Sequence, residues 1–251
     1  MEFVDKVAFI TGGAIGFGRA FARALGERGA SVILADIDIS AARETAASLA
    51  EAGISALALE CDVADEHAVE VAVAESVRRL GGIDILINNA GKHLTKYNQP
   101  FGKLPRHEVR ALFDVNVMGV VNCTVACQPT MKQRGGGIVV NIASIAANLS
   151  STPYGVSKLA VRGLTLAFAT ELAADGIRVN AISPGLMATE NALDDLPQDF
   201  IDDFVNNRQL VRRLGRMDDI VEAMLFLCSE KSSFMTGETL RVSGGYPLGF
   251  D

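Results

Sequence analysis

The sequence predicts an α/β protein with a doubly wound parallel sheet, folded as a single domain of 251 residues. Two observations predict this fold class. Short apolar runs alternate with longer segments whose apolar residues recur at helical spacing, and glycine-rich or polar turns follow several of the apolar runs. In such a sheet ligands bind at the carboxyl ends of the strands, so we expect these turns to lie together at one edge.

The composition narrows the classes of partner and location. A net charge of -7 argues against nucleic acid and anionic membranes as main partners. We expect no membrane span, because no apolar run approaches the roughly 20 residues required. The first strand begins almost at once, which predicts a cytoplasmic protein without a signal sequence. The four cysteines lack the paired spacing of a zinc site, so we expect packing thiols and no metal.

The first strand is predicted over residues 6–11 and leads into a glycine-rich turn with Gly12, Gly16 and Gly18. Apolar residues then recur at helical spacing as far as Gly29. A glycine turn between a strand and a helix lets the backbone approach a phosphate, and the helix N-terminus favours negative charge. This segment therefore predicts a phosphate-binding turn.

A second strand, residues 31–35, ends at Asp36, which lies 18 positions beyond Gly18. A carboxylate at this place accepts hydrogen bonds from both adenosine ribose hydroxyls and repels a 2'-phosphate. Its sequence neighbour Ile37, and Ile15 in the glycine turn, offer no basic partner for that phosphate. The pattern favours NAD over NADP, although Asp36 could also be an ordinary turn residue.

A helix over about 40–52 leads to a third strand, residues 55–61, closed by Asp62 and Val63. We expect Asp62 to contact the adenine and Val63 to contact its ring edge. A helix N-cap role for Asp62 or Asp65 fits the pattern equally well.

The next helix has an apolar stripe expected to face the sheet, and the strand at 83–87 ends at the turn Asn88-Asn89-Ala90-Gly91. His93 follows this turn and either touches the substrate or lies in solvent. A helix at about 106–131 carries Asn116 in an otherwise apolar stretch. Buried asparagine must be hydrogen-bonded. It either fastens the helix backbone or belongs to a water-mediated proton path.

Residues 138–142 are predicted as a strand with Ser144 just beyond its end, and residues 153–174 as a helix. Tyr154 and Lys158, four residues apart, share one face of that helix. At roughly 4 Å and an effective dielectric of about 20, their attraction is on the order of 4 kcal/mol. About 1.4 kcal/mol corresponds to one pKa unit, so Lys158 could activate the phenol as a base. With Ser144 holding a substrate oxygen, this trio suits alcohol and carbonyl interconversion; alternatively, the three are a surface pair and a turn residue.

The strand predicted at 178–183 ends at Pro184 and Gly185, and Thr189 is expected at the nicotinamide amide. Residues 190–214 are rich in Asp and Asn with scattered apolar residues, which indicates either a flap over the substrate or a surface helix pair. A helix at 218–228 and a strand at 239–242 complete the chain.

With these motifs assembled, the chain resembles the classical short-chain dehydrogenase/reductase family over essentially its whole length. The matching residues are the stretch 11–18, Asp62 with Val63, the turn 88–91, Asn116, Ser144, Tyr154 with Lys158, Asn180, and Pro184-Gly185 with Thr189. The resemblance implies a Rossmann-like domain with a seven-stranded sheet and helices on both faces. It also implies hydride transfer to or from nicotinamide, and a homotetramer.

The resemblance assigns roles to the catalytic residues. Tyr154 is implied as the acid/base, and Lys158 as the residue that lowers the pKa of Tyr154 and holds the nicotinamide ribose. Ser144 orients the substrate oxygen, and Asn116 positions a water linking Lys158 to solvent. One departure concerns the ten-residue separation of Ser144 and Tyr154, which is shorter than usual for the family. We expect an altered, wider pocket with the chemistry intact.

The resemblance also implies that Thr11 braces the glycine turn, while Asn89 and Ala90 line the adenosine half of the cleft. The residues expected to hold the cofactor are Gly12, Ile15, Gly16, Gly18, Asp36, Asp62, Val63, Asn89, Ala90, Tyr154, Lys158, Pro184, Gly185, Met187 and Thr189.

The substrate is predicted to be a secondary alcohol on a hydrophobic or cyclic skeleton, because the expected lining is mixed and fairly apolar. That lining comprises Lys92, His93, Leu94, Tyr97, Leu149, Met187 and the flap from Asn191. We therefore expect an NAD-dependent dehydrogenase. Two alternatives are an NADPH-dependent 3-oxoacyl thioester reductase and a non-catalytic NAD-binding scaffold or sensor.

Overall fold

Seven parallel strands form one sheet in the computed structural model, which describes residues 2–93, 95–189 and 196–249. The strands are β1 (Val7–Thr11), β2 (Ser31–Asp36), β3 (Ala56–Glu60), β4 (Ile85–Asn88), β5 (Gly137–Ile142), β6 (Ile177–Pro184) and β7 (Thr239–Val242). Their order across the sheet is β3-β2-β1-β4-β5-β6-β7. The strand order reverses between β1 and β4, which is where a doubly wound sheet binds its ligand.

Helices cover both faces of the sheet, which confirms the predicted fold class. They are α1 (Gly16–Gly26), α2 (Ile39–Glu51), α3 (Glu66–Leu80), α4 (Arg106–Phe113), α5 (Gly119–Gln133), α6 (Ala146–Leu149), α7 (Pro153–Glu171), α8 (Gln198–Asp203) and α9 (Met217–Cys228). Alternate residues of β1 show the two layers. Ala8 and Ile10 pack with α1, α2 and α9, whereas Val7 and Phe9 pack with α3, α5 and α7. Strands buried on both faces read as continuous apolar runs, which is why they were predictable.

The helix predicted at 106–131 is interrupted by a π-helical turn, Asp114–Met118, between α4 and α5. Contrary to the sequence expectation, the stretch Arg106–Gln133 is long and apolar enough to cross a membrane by those two criteria. In the fold, α5 packs on β4, β5 and α3, and it buries Cys123 and Cys127 against the sheet. Its apolar character is that of a core helix.

The segment between Ser144 and Tyr154 closes with a one-turn helix, α6. Ser150 then adopts a left-handed conformation with φ of 45°. The Thr152 hydroxyl caps α7 by accepting a hydrogen bond from the Gly155 N–H at 3.1 Å. Pro153 opens α7, where its missing N–H costs nothing. These local features bring the start of α7 back to the end of β5 despite the short connection.

Candidate active site

The carboxyl ends of the strands open into a cleft of about 1040 Å³. Most of the predicted site residues line it: Gly12, Ile15, Gly16, Asp36, Asp62, Val63, Asn89, Ala90, Lys92, His93, Ser144, Tyr154, Lys158, Pro184, Gly185, Met187 and Thr189. Because these residues lie in the ends of β1 through β6 or in the segments that follow them, the sheet topology itself assembles the site.

The turn after β1 depends on three glycines. Gly12 and Gly16 have φ of +60° and +55°, a region that favours glycine. Gly18 has a different role and does not itself line the cleft. A Cβ on Gly18 would lie 2.0 Å from the Gly12 carbonyl oxygen, so its absence lets α1 approach the strand closely. The result is a helix N-terminus aimed into the cleft, which suits a phosphate.

The turn after β4 is fastened to the glycine turn by hydrogen bonds. The Thr11 hydroxyl oxygen accepts from the N–H groups of Asn89 and Ala90, each at 3.0 Å. The Asn89 side-chain amide donates to the carbonyl oxygens of Thr11 and Gly12, each at 3.0 Å. The two turns therefore form one rigid floor, and Thr11 has the bracing position that the resemblance implies.

Asp36 stands at the end of β2, where its carboxylate accepts from the N–H groups of Ala14 at 2.9 Å and Asp38 at 3.0 Å. Its neighbours Ile15 and Ile37 are 57% and 67% exposed, and both line the cleft. These contacts fix the carboxylate at the rim of the cleft beside the glycine turn. Apolar side chains therefore occupy the two positions at which a basic residue could pair with a 2'-phosphate.

Asp62 also lines the cleft, and its carboxylate accepts from the Ala64 N–H at 2.9 Å. The N-cap of α3 is Asp65, which accepts from the N–H groups of His67 and Ala68. The structure thereby resolves the capping alternative in favour of Asp65. Arg19 and Arg23 of α1 line the same cleft and were not predicted. Their spacing of four residues just after the glycine turn was the available signal.

Ser144, Tyr154 and Lys158 meet at the end of β5. Ser144 and Tyr154 share a side-chain hydrogen bond. The Ser144 hydroxyl oxygen also accepts from the Ala146 N–H at 3.2 Å, which sets its position at the start of α6. The Lys158 ammonium nitrogen lies 5.9 Å from the centre of the Tyr154 ring, one turn along α7. A hydroxyl pair next to a buried lysine can bind and exchange a proton with a substrate oxygen.

Comparison with known proteins gives the family. A family model described as enoyl-(acyl carrier protein) reductase matches residues 12–247. The chain is 35% identical over 243 residues to the 7alpha-hydroxysteroid dehydrogenase of Escherichia coli K12, covering 96% of this chain and 93% of that enzyme. The chain belongs to the classical short-chain dehydrogenase/reductase family.

Two further similarities cover the whole short-chain dehydrogenase/reductase domain. The chain is 36% identical over 247 residues to the cis-4-hydroxycyclohexanecarboxylate dehydrogenase of Sinomonas cyclohexanicum, with 97% of each chain covered. A solved 7alpha-hydroxysteroid dehydrogenase, complexed with NADH and 7-oxo glycochenodeoxycholic acid, superposes with a TM-score of 0.90. It is 33% identical and covers 97% of this chain and 95% of that one. The chain is therefore an oxidoreductase of short-chain dehydrogenase/reductase type.

The pKa of Tyr154 is raised from its ordinary value because burial disfavours the phenolate, while the hydrogen bond with Ser144 lowers it. This direction is opposite to the predicted activation by Lys158. The Lys158 ammonium donates to the Ile142 carbonyl oxygen at 2.7 Å, so its charge is directed at that carbonyl. Burial also lowers the pKa of Lys158 to about 8. Desolvation is thus the largest cause of the pKa shift of each group in this arrangement.

Asn116 lies in the π-helical turn, is buried, and does not line the cleft. Its side-chain oxygen accepts from the Lys92 N–H at 2.7 Å, and its amide donates to the Lys92 carbonyl oxygen at 3.0 Å. The amide also donates to the Ser157 hydroxyl oxygen at 3.1 Å. The side chain therefore fastens backbone, which was one of the two predicted roles. The backbone it holds belongs to the loop after β4 and not to its own helix. The water-mediated path stays a prediction.

Tyr97 does not line the cleft, and the prediction that it contacts the substrate is wrong. Its side chain is buried with Leu104 and Leu112, and its hydroxyl donates to Glu108 at 3.0 Å. Tyr154 packs against the outside of this cluster. Tyr97 is aromatic packing behind the active site, placed there by the path of the loop into α4.

Leu149 is also a correction, since it is 56% exposed at the end of α6 and does not line the cleft. His93 is exposed to solvent and also lines the cleft, so both predicted alternatives for this residue agree with its position. Asn98, which was not predicted, lines the same side. Leu94 and Asn191 lie outside the described residues.

Proposed function

We propose that the protein is an NAD-dependent dehydrogenase that interconverts a secondary alcohol and its ketone, with Tyr154 as the acid/base. The observation that carries this proposal is the meeting of Ser144, Tyr154 and Lys158 in one cleft with a phosphate-binding glycine turn. A non-catalytic scaffold would have no need of a buried lysine and a partly buried tyrosine beside a serine, since burying ionisable groups costs stability.

The residues present fit a nicotinamide dinucleotide. A Cβ on Gly16 would meet nothing within 4 Å, so the N-terminus of α1 is open to a phosphate. Asp36 would accept hydrogen bonds from the adenosine ribose, Lys158 would hold the nicotinamide ribose, and Thr189 would contact the carboxamide. When bound, the nicotinamide accepts or donates the hydride.

The chain's own residues handle the proton of the alcohol. The Ser144 hydroxyl donates a hydrogen bond to the substrate oxygen and fixes it next to Tyr154. The ionised Tyr154 oxygen then takes the hydroxyl proton as the hydride leaves the carbinol carbon, so the alcohol loses both and becomes a ketone. In the reverse direction Tyr154 returns that proton. When Lys158 is charged, its proximity favours the ionised phenol against the effect of burial, which raises the pKa of Tyr154.

The preference for NAD rests on Asp36 with the apolar neighbours Ile15 and Ile37. One observation favours the second candidate, an NADPH-dependent 3-oxoacyl thioester reductase: Arg19 and Arg23 line the same cleft. We give Asp36 the greater weight because it lies directly at the end of β2, where the ribose is held in this class of site. The net charge of -7 also weighs against a substrate delivered on an acidic carrier.

Titration with NADH and with NADPH, followed by nicotinamide fluorescence, tests this choice. We expect tighter binding of NADH. In Asp36→Ala the ratio of the NADPH dissociation constant to the NADH dissociation constant should fall by roughly tenfold. The reason is that the ribose hydrogen bonds and the repulsion of the 2'-phosphate are both lost. Asp38→Ala is the matched control, since Asp38 caps α2 outside the cleft. A preference of the unmodified protein for NADPH would overturn the NAD assignment and move the thioester reductase to first place.

We propose a hydrophobic or cyclic skeleton for the substrate. Apolar side chains line the cleft, including Met187, Leu196 and Met217. The relatives named for a hydroxycyclohexanecarboxylate and for a hydroxysteroid act on ring alcohols, which supports the same class here. Because Leu196 lines the cleft, we also propose that the segment 190–214 covers the substrate as a flap.

We further propose a cytoplasmic homotetramer. Met118 and Val125 of the π-helical turn and α5 are 46% and 50% exposed, and Leu159 and Leu166 of α7 are 45% and 60% exposed. Each pair is separated by seven residues, so each forms an apolar stripe along one helix face. Two neighbouring stripes of this kind are suited to burial against another copy of the chain.

A further inference from the structure

We propose that Lys92 binds a carboxylate group of the substrate, so that the alcohol oxidised in this cleft is a hydroxy acid. This inference rests on the proposed dehydrogenase function and specifies its substrate class. The carboxylate lies on a part of the substrate remote from the reacting carbon. Lys92 acts as a specificity-determining residue and takes no part in the proton transfer.

The position of Lys92 is fixed by its backbone. Its N–H donates to the Asn116 side-chain oxygen at 2.7 Å, and its carbonyl oxygen accepts from the Asn116 amide at 3.0 Å. The same amide donates to Ser157 of α7 at 3.1 Å. A residue held on both sides of its Cα, and tied to the helix of Tyr154, presents its side chain from a constant point. Fixed presentation of this kind lowers the entropy cost of binding.

That point lies at the catalytic end of the cleft. The residue before Lys92 is Gly91, and a Cβ on Gly91 would be 3.5 Å from the Lys158 ammonium nitrogen and 3.4 Å from the Asn116 side-chain oxygen. The backbone of Lys92 therefore begins beside Lys158. Lys92 lines the same cleft as Ser144.

Lys92 has no carboxylate partner among the residues that the structure describes. Other lysines of the chain do: Lys96 pairs with Glu108 at 3.1 Å, and Lys132 pairs with Asp175 at 2.7 Å. The carboxylates that line the cleft, Asp36 and Asp62, stand at the adenosine end and accept backbone N–H groups. Among the described residues, the half-buried Lys92 therefore places a positive charge in the cleft with no counter-ion, and such a charge favours an anionic ligand.

A carboxylate fits this environment better than a neutral group. A charge-assisted hydrogen bond inside a cleft is shorter and stronger than a neutral one. Its loss lowers kcat/KM by about tenfold to hundredfold, while an uncharged substrate of the same shape gains nothing from the ammonium.

The test compares matched probes in which only the charge differs. Hydroxycyclohexylacetic acids, and secondary alcohols that carry a benzoic acid group, are assayed with NAD. Each acid is compared with its own primary amide. For each pair, kcat/KM is measured where turnover occurs. Where it does not, the affinity for the enzyme–NADH complex is measured by nicotinamide fluorescence. The variants are Lys92→Gln, Lys92→Arg and the control Lys103→Gln, which removes an exposed charge outside the cleft.

We expect the unmodified protein to favour carboxylates over their amides by tenfold or more. Lys92→Gln should abolish that ratio by lowering the values for the carboxylates to those for the amides. Lys92→Arg should keep most of the ratio, and Lys103→Gln should keep all of it. An equal response to acid and amide, or a ratio that survives in Lys92→Gln, would overturn the proposal while leaving the dehydrogenase function standing. Weaker NADH binding by Lys92→Gln would show that the ammonium serves the cofactor and would also overturn it. Absence of NADH binding to the unmodified protein would overturn both proposals.

Discussion

The Tyr154 phenol and the Lys158 ammonium each carry an exchangeable proton near the end of β5. Burial raises the pKa of Tyr154 and lowers that of Lys158 to about 8, so Lys158 is the first of the two to lose a proton as pH rises. With one proton remaining, the pair can exist as phenolate and ammonium, which is the form that alcohol oxidation requires. We therefore expect Tyr154, the proposed acid/base, to be activated by transfer of its proton to the neutral amine of Lys158.

This coupling predicts the pH dependence of oxidation. We expect kcat/KM to rise with pH up to about 8, because below it both groups are protonated, and then to level off. In Lys158→Gln the residual rate should rise only at more alkaline pH, since the ionisation then belongs to the buried Tyr154 alone, whose pKa is raised. Initial rates of NAD reduction across neutral and alkaline pH measure both profiles. An inflection that does not move in Lys158→Gln would refute the coupling.

The π-helical turn is the element that connects the cofactor cleft to the catalytic helix. It places Asn116 between the loop after β4 and Ser157 of α7, with three hydrogen bonds to the two. A single asparagine thereby holds both walls of the catalytic end. Because π-turns inside α-helices occur frequently at functional sites, this interruption of a core helix is consistent with a positioning role.

Replacement of this asparagine should destabilise the protein and the site together. Asn116→Ala leaves the Lys92 N–H and carbonyl without partners, and we expect it to cost about 1–3 kcal/mol of unfolding free energy in urea. Asn122→Ala is the matched control on α5, because it removes only the 2.9 Å bond to the Val63 carbonyl oxygen. We expect Asn116→Ala also to lower kcat more than Asn122→Ala does. Equal effects of the two variants on stability and kcat would exclude the positioning role.

The elements that sequence could predict are those with a local signal. The strands appear as apolar runs, and the Ser144 and Tyr154 placement follows from a strand end and the first turn of a helix. The environment of Tyr97 could not be predicted in this way. It depends on contacts with Leu104 and Leu112, which come from the later part of the loop and from α4. The same limit applies to the pKa direction of Tyr154, because burial is a property of the packed fold and not of spacing along the chain.

At the scale of the whole molecule, the exposed apolar stripes of α5 and α7 predict assembly. We expect a mass four times that of the chain by light scattering after size-exclusion chromatography. Leu166→Lys places a charge at one end of the α7 stripe and should shift the protein to smaller species, because burying an unpaired charge is costly. Leu210→Lys is the control, since Leu210 is 67% exposed and lies outside both stripes. A monomeric unmodified protein would contradict the assembly prediction.

The cleft at the carboxyl edge of one continuous sheet joins these scales, because the glycine turn and the side chains of Ser144, Tyr154 and Lys158 all line it. A direct measurement of its chemistry compares NADH formation from a panel of cyclic secondary alcohols by the unmodified protein, Tyr154→Phe and Tyr97→Phe. We predict that Tyr154→Phe loses about a hundredfold to ten-thousandfold of the rate while it binds NADH unchanged. Tyr97→Phe, outside the cleft, should retain turnover. Undiminished NADH formation by Tyr154→Phe would contradict the assignment of Tyr154 as the acid/base.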